Sequence, residues 1–349
     1  MSTAQQAPAP TSPPADRTGR TLTSRLRALA GARIFGLVLA LVILVAVSTA
    51  MNPRFLTGQS VRDLLLAASI TVLLTAGMTM VVLTKGIDLS VGAVLGLSAF
   101  GSATLMSESG VPVPVAAVVG LLIGAACGAV NGALVTIGGV PPLVATLGTL
   151  YVFRGVVYFW AGGSRINASD MPREFLSFGS GRVLGMPYLA LIALAVAIAV
   201  GIFLSRYRAG RDLYAIGSNP EAARLAGIPQ TRRLFTAYIV TGTLAGLSGV
   251  LYAARYGTVD ASAGTGIELD IVAAVVVGGV AIFGGSGTVT GAVLGALLLT
   301  VISNALPTLG IDQFWQRAIV GALIIGAIAL DQLVARRVAA STRKASHVG

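Results

Sequence analysis

The chain has 349 residues, of which 55% are hydrophobic and only 11% charged, with a formal net charge of +11. A soluble domain carries about 25% charged residues, so too little polar surface is available here to cover a water-soluble globule. Apolar runs of about 20 residues recur, the length that crosses a bilayer as a helix, and the expected fold class is an all-α polytopic membrane protein.

Met1 to about Arg33 is rich in Ala, Pro, Ser and Thr and then in Arg. It reads as a disordered cytoplasmic arm, residues 1–33, rather than a signal peptide, because it is long and no small-residue cleavage site precedes a polar start. Ten candidate spans follow, at about 34–51, 63–84, 89–107, 113–137, 142–160, 187–205, 234–254, 269–284, 290–308 and 314–334, and make one transmembrane domain over 34–334. The fifth and eighth are interrupted, by Pro141-Pro142 and by glycines 278, 279, 284, 285 and 287. Residues 335–349 form a tail.

An even number of spans puts both termini on one side. With the N-terminus inside, 16 of the 24 basic residues fall on inner segments and 7 on outer ones, with Arg154 inside a span. The excess places both termini, and the 206–233 loop, in the cytoplasm. Arginines distributed in this way are topology signals, and they do not form a nucleic-acid-binding surface.

Close helix packing is expected where glycines recur every four residues, at Gly120, Gly124 and Gly128, at Gly287, Gly291 and Gly295, and at Gly242 and Gly246. The pentapeptide Gly-Ala-Val-Leu-Gly occurs at 92–96 and again at 291–295, each after a polar glycine-containing turn, which suggests an internal repeat of the kind transporters use.

Several chemistries are excluded by what the chain lacks. Cys127 is the single cysteine and His347 the single histidine, so no intrachain disulfide, His-based metal cluster or His-dependent triad forms. Neither Lys85 nor Lys344 sits in a phosphate-cradling loop, and no buried pair of acids suggests a proton relay. Energy for transport then comes from a partner.

The most charged segment outside the tails, Arg206 to Arg233, contains Gly217-Ser218-Asn219-Pro220-Glu221-Ala222-Ala223-Arg224-Leu225-Ala226-Gly227-Ile228. Asn219 is a helix N-cap, Pro220 fits the first turn, and Glu221 meets the positive end of the helix dipole. Glu221 and Arg224 stand at i, i+3 spacing, and Gly227 ends the helix. A short capped helix of about two turns is expected outside the membrane, either as a surface loop or as a docking element.

Three further stretches lie at span ends. Asp88 in Lys85–Gly92 caps a helix or lines a gate. Asn131, Thr146 and Thr149 line a polar path or hydrogen-bond to neighbouring helices, while Arg154, inside a span, faces the interior or snorkels to an interface. Glu268 and Asp270, outside by this topology, cap the eighth span or serve an external partner.

Taken together, GIDLSVGA at 86–93, NG at 131–132, PPLVATLGTLYVFRG at 141–155, GRDLYAIGSNPEAARLAGI at 210–228, AGTGIELDIVAAVVVGG at 263–279 and GGSGTVTGAVLGALLL at 284–299 resemble the membrane permease subunit of bacterial sugar importers of the ATP-binding-cassette class. The family is ribose-permease-like, with branched-chain amino-acid permeases as distant relations, and the matching stretches run from about 50 to 330. The resemblance implies a type II importer-like permease fold with no enzymatic activity and no cofactor on this chain, ATP and magnesium belonging to a partner ATP-hydrolysing subunit. It implies import of a small neutral sugar (pentose, hexose or deoxyhexose), a second permease copy or paralogue, and an extracytoplasmic sugar-binding protein. It also implies that Gly217, Asn219, Glu221, Ala222, Ala223, Arg224, Leu225 and Gly227 belong to the helix that couples to the ATP-hydrolysing subunit. A branched-chain amino-acid or other small-solute permease is the rival reading.

Overall fold

A computed structural model describes residues 22–312, 314–327 and 329, with side chains from Ile34 onward. The 335–349 tail and most of the N-terminal arm lie outside the described residues. Within the arm, helix α1 begins at Leu22 and runs to Met51. The Leu/Ala/Arg content of 22–33 favours helix, so the helix starts earlier than the composition of the whole arm suggests.

The remaining helices are α2 (Gly58–Leu83), α3 (Val91–Ser107), α4 (Val113–Thr136), α5 (Pro142–Ala161), α6 (Arg173–Ser180), α7 (Tyr188–Arg206), α8 (Arg208–Ser218), α9 (Pro220–Leu225), α10 (Gln230–Tyr256), α11 (Ile267–Val277), α12 (Val289–Thr308) and α13 (Trp315–Ala327). A two-stranded hairpin pairs Arg182–Val183 with Met186–Pro187. Among the described residues seven helices (α1 from Ile34, α2, α4, α5, α7, α10 and α12) are long and apolar enough to cross a membrane, and α3 and α13 are shorter apolar helices. The fold is an all-α polytopic bundle.

Pro141-Pro142 does not interrupt the fifth span. Pro142 is the first residue of α5, where a missing N–H costs nothing, and the helix runs unbroken for 20 residues. The eighth span does break. Only Ile267–Val277 is helical, about 16 Å against the ~30 Å of a hydrocarbon core. Residues 278–288 are turns in which Gly279, Gly284, Gly285 and Gly287 all have positive φ, a conformation glycine adopts at little cost. Gly287 therefore stands outside α12, and the packing glycines of that helix are Gly291 and Gly295, set against Gly278 and Ala274 of α11 and its end.

The centre of the bundle is α10, clamped between α2, α3 and α4. A side chain at Gly124 would collide with the Gly242 carbonyl, one at Gly128 with the Tyr238 carbonyl, and one at Gly246 with the Gly120 carbonyl. On its other flank Thr241 donates a hydrogen bond to the Gly77 carbonyl of α2, 2.9 Å. Around this centre, α2 is buried over most of its length, while α1 from Ile34 rests one side, with Leu44 and Val45, against α12 and leaves most of its apolar surface exposed, as a helix at the lipid boundary does.

After α10 the chain folds back into the bundle. Val259 pairs with Ile166, Ala263 then reaches Gly96, and Gly264 reaches Gly92, both on α3. Leu95 lies beside Gly249, two turns before the end of α10, so the 257–266 loop dips about 10 Å and α11 starts from inside the bundle.

Candidate functional site

The end of the bundle that carries α8 and α9 is assembled from four segments. α7 turns into α8 through Gly210, whose missing side chain lets the α8 backbone rest on Phe203 and Leu204. α8 is amphipathic: Leu213 and Ile216 are buried while Arg208 and Arg211 are exposed. The 206–233 segment is thus not all loop on this side: Asp212, Leu213, Ile216 and Gly217 at three-to-four spacing carry the helical signal.

Three contacts fix α8. Asp212 pairs with the Arg233 Nε of α10 at 2.8 Å with both groups largely buried. Tyr214 donates its hydroxyl hydrogen to the Gly287 carbonyl, 3.0 Å, and burial raises its pKa and keeps it a donor. Gly217 lies directly on the Leu83 carbonyl and beside the Gly285 nitrogen, and Gly285 N–H itself donates to the Leu83 carbonyl at 2.9 Å. The end of α8 thus sits where the 84–90 turn and the 278–288 turn meet. These turns precede α3 and α12, the two helices that open with the repeated pentapeptide.

α9 stands beyond this joint. The Asn219 side chain accepts from the Ala222 N–H at 3.1 Å, Pro220 is the first helical residue, and Gly227 at φ 73° reverses the chain so that Ile228 N–H donates to the Ala223 carbonyl at 3.0 Å. The helix has six residues, shorter than the two turns expected. Glu221 and Arg224 are joined at 2.8 Å but both point into solvent, so the pair contributes little. Ala223 is buried against the chain itself, whereas Leu225 is 84% exposed. A large apolar residue at the tip of a charged helix has no partner within the described chain.

Asp88, Asn131, Thr146 and Thr149 come together in one buried cluster. Ser90 donates to Asp88 Oδ1 through its N–H (2.9 Å) and its hydroxyl (2.7 Å), so the carboxylate caps the turn leading into α3. Asn131 Nδ2 donates to Ser90 Oγ at 2.8 Å and lies 3.4 Å from both Asp88 oxygens, while its Oδ1 accepts from Thr149 at 2.6 Å. Thr146 donates to the Ile87 carbonyl at 2.9 Å. The cluster pins the 84–90 turn to α4 and α5. All four therefore hydrogen-bond to neighbouring segments. Ser90, which sequence reasoning passed over, is its hub.

Arg154 is not part of that cluster. It lies two turns further along α5 and donates to the carbonyls of Ala261 (3.0 Å) and Ala263 (2.7 Å), holding the inward-dipping loop. Glu268 is half-buried with its carboxylate beside Gly92, and Asp270 is half-buried in a cleft between α2, α10, α11, α12 and α13.

A membrane-embedded helical bundle with a glycine-packed centre, a pinned polar turn and a short capped helix projecting from one end has the build of a polytopic permease. A family described as branched-chain amino acid transport system / permease component matches residues 60–328, and the chain belongs to it. The chain is similar to the D-allose transport system permease protein of Escherichia coli strain K12, 35% identical over 303 residues covering 86% of this chain and 92% of the relative. It is 38% identical over 297 residues to the ribose import permease protein of Bacillus subtilis strain 168, covering 85% and 92%. It is 36% identical over 293 residues to the autoinducer 2 import system permease protein of Enterobacter sp. strain 638, covering 84% of each. No solved structure matches the chain.

Proposed function

We propose that the chain is the membrane-spanning permease subunit of an ATP-binding-cassette importer that carries a small neutral sugar, a pentose, hexose or deoxyhexose, across the bacterial cytoplasmic membrane. The observation that carries this reading is the similarity, over 84–86% of the chain, to permeases named for allose, ribose and autoinducer 2 import. The family description itself mentions branched-chain amino acids, and that substrate class is the second reading.

In this account the α8–α9 end faces the cytoplasm, as the excess of arginine there favours, and both termini lie on that side. Cytoplasmic ATP-hydrolysing subunits grip α9 through Leu225, Glu221, Arg224 and Ala222, while Asn219, Ala223 and Gly227 give the helix its shape. Closure of those subunits on ATP displaces α9. Because α8 is packed against the 84–90 and 278–288 turns, the displacement reaches the starts of α3 and α12 together, and the bundle switches between two arrangements. ATP and magnesium stay with the partner, and this chain holds no cofactor and makes no covalent bond. It works beside a second permease copy or paralogue, and an extracytoplasmic sugar-binding protein delivers substrate at the opposite end. Glu268 and Asp270, half-buried at the start of α11, stand toward that end.

The test is reconstitution in lipid vesicles with the ATP-hydrolysing and sugar-binding partners. Alone, the purified permease hydrolyses no ATP; with partners, ATP drives accumulation of D-ribose or a related monosaccharide and not of L-leucine. ATP-driven uptake of leucine in preference to every sugar offered contradicts the reading.

A further inference from the structure

The cleft that contains Asp270 has a volume of about 180 Å³, below the roughly 300–1,000 Å³ of pockets for drug-sized ligands. Its floor and walls include Ile70 of α2 and Leu299 of α12, and its polar groups come from five helices, with Thr71 on α2 and the rest on α10 to α13. Tyr252 and Tyr256 of α10 contact each other with ring centroids 4.5 Å apart, and the Arg255 guanidinium lies 4.6 Å from the Tyr256 ring centroid. Asn304 of α12 uses its amide nitrogen on the Thr300 carbonyl (2.8 Å), and Gln316 of α13 uses its own on Ser303 Oγ (2.6 Å).

These bonds leave a set of polar atoms over. The amide oxygens of Asn304 and Gln316 and the carboxylate of Asp270 accept nothing among the described residues, and the Arg255 guanidinium donates to nothing there. Each of these groups keeps surface open to the cleft, and four hydrogen-bonding groups from α10, α11, α12 and α13 converging on one small cleft mark a place for a polar ligand.

We propose that this cleft is a monosaccharide-binding site within the permease, with Asp270, Arg255, Asn304 and Gln316 as its hydrogen-bonding groups and Tyr252 as its apolar wall. This rests on the sugar-import reading and locates its substrate. A sugar hydroxyl both donates and accepts, so adjacent hydroxyls satisfy the carboxylate and amide oxygens as donors and the guanidinium as acceptors in one pose. The C–H face of the ring suits the tyrosine. An amino-acid zwitterion would satisfy Arg255 and Asp270 but offers no neutral hydroxyls for the two amide oxygens, and an acceptor left unpaired on binding costs affinity.

The cleft lies beside the inward-dipping 257–266 loop, on the side of α11 that faces α2 and α12, whereas Arg154 and Gly96 hold that loop from the α3–α5 side. A ligand in the cleft therefore touches the start of α11, the short helix whose other end reaches the 278–288 turn. Occupancy of the site and the position of that turn share one rigid element.

The experiment uses the full-length permease in lipid nanodiscs, with saturation-transfer NMR read against D-ribose, D-allose and L-leucine. The wild type gives a signal with at least one of the two sugars. Asn304→Ala and Gln316→Leu, each first shown to run as a single monodisperse species, reduce that signal at least tenfold at equal sugar concentration, and Asp270→Asn does so as a third, near-isosteric variant. An unchanged sugar signal in all three variants, or no sugar signal in the wild type, overturns the assignment. A leucine signal lost in the variants overturns the monosaccharide class. Sugar uptake by the complete reconstituted importer separates the two failures: if uptake persists while the variants bind as wild type, the cleft assignment falls and the import reading stands, and if no sugar is taken up, both fall.

Discussion

At the α8–α9 end, Asp88, Ser90, Asn131 and Thr149 bond one another and use up their polar atoms. In the cleft beside α11, Asp270, Arg255, Asn304 and Gln316 keep groups that no described residue satisfies. Both sets are polar side chains in an apolar bundle, and residue type alone does not tell them apart. The first is closed on itself and fixes a turn in place, which a buried network does when every member is paired. The second is open and accessible, so its hydrogen-bonding capacity is free for a ligand. A polar residue inside a permease is a pin or a site according to whether its neighbours already satisfy it.

The comparison breaks most visibly where the pinned end has no room. Gly217→Val places side-chain atoms on the Leu83 backbone carbonyl, which cannot move without displacing both turns. It is expected to yield little or no monodisperse protein, read by fluorescence-detected size exclusion. Gly155→Ala, on a helix position where an added methyl meets nothing, is expected to match wild type or to gain up to about 1 kcal/mol from better helix propensity.

Next in size is the network. Asn131→Leu leaves Asp88, Ser90 and Thr149 without their shared partner, at about 1–3 kcal/mol for each buried group left unpaired, and the melting temperature in detergent should fall by several degrees. Asp270→Asn in the cleft breaks no hydrogen bond within the described residues and should melt close to wild type. If both variants lose equal stability, the distinction between pin and site is wrong.

The smallest effect sharpens the same point. Tyr238, buried beside Gly86, has a hydroxyl with no partner among the described residues, so Tyr238→Phe removes an unpaired polar atom. Its stability should stay within about 0.5 kcal/mol of wild type or rise, measured by thermal unfolding.

Composition and periodicity carried the all-α membrane class, because a chain with 11% charged residues has few other folds open to it. The cap, the proline start and the glycine stop of α9 were legible because each rests on local backbone chemistry within four residues. The grouping of Asp88, Asn131, Thr146 and Thr149 was not, since it joins α4, α5 and the turn before α3 across 43 residues in one case. The glycines marked the eighth span, 269–284, as interrupted, but hydropathy does not show where the helix stops; the positive φ of Gly279 and Gly284 ends it at Val277. The burial of Ala223 was also hidden, because a six-residue helix has no period long enough to show which side faces the chain. Leu225, and not Ala223, is therefore the position at which docking can be tested without disturbing the fold.

The central claim is that α9 is the element through which a partner drives this permease, and Leu225→Asp tests it most directly. Leu225 is 84% exposed and packs against nothing that a charge would disrupt, so the variant should express, fold and melt as wild type. In vesicles with the ATP-hydrolysing and sugar-binding partners, it should lose at least 90% of ATP-driven sugar uptake and co-purify poorly with the ATP-hydrolysing subunit, because a carboxylate would be buried unpaired at their contact (roughly 3–5 kcal/mol). Wild-type uptake and wild-type association by a normally folded Leu225→Asp protein would contradict the account.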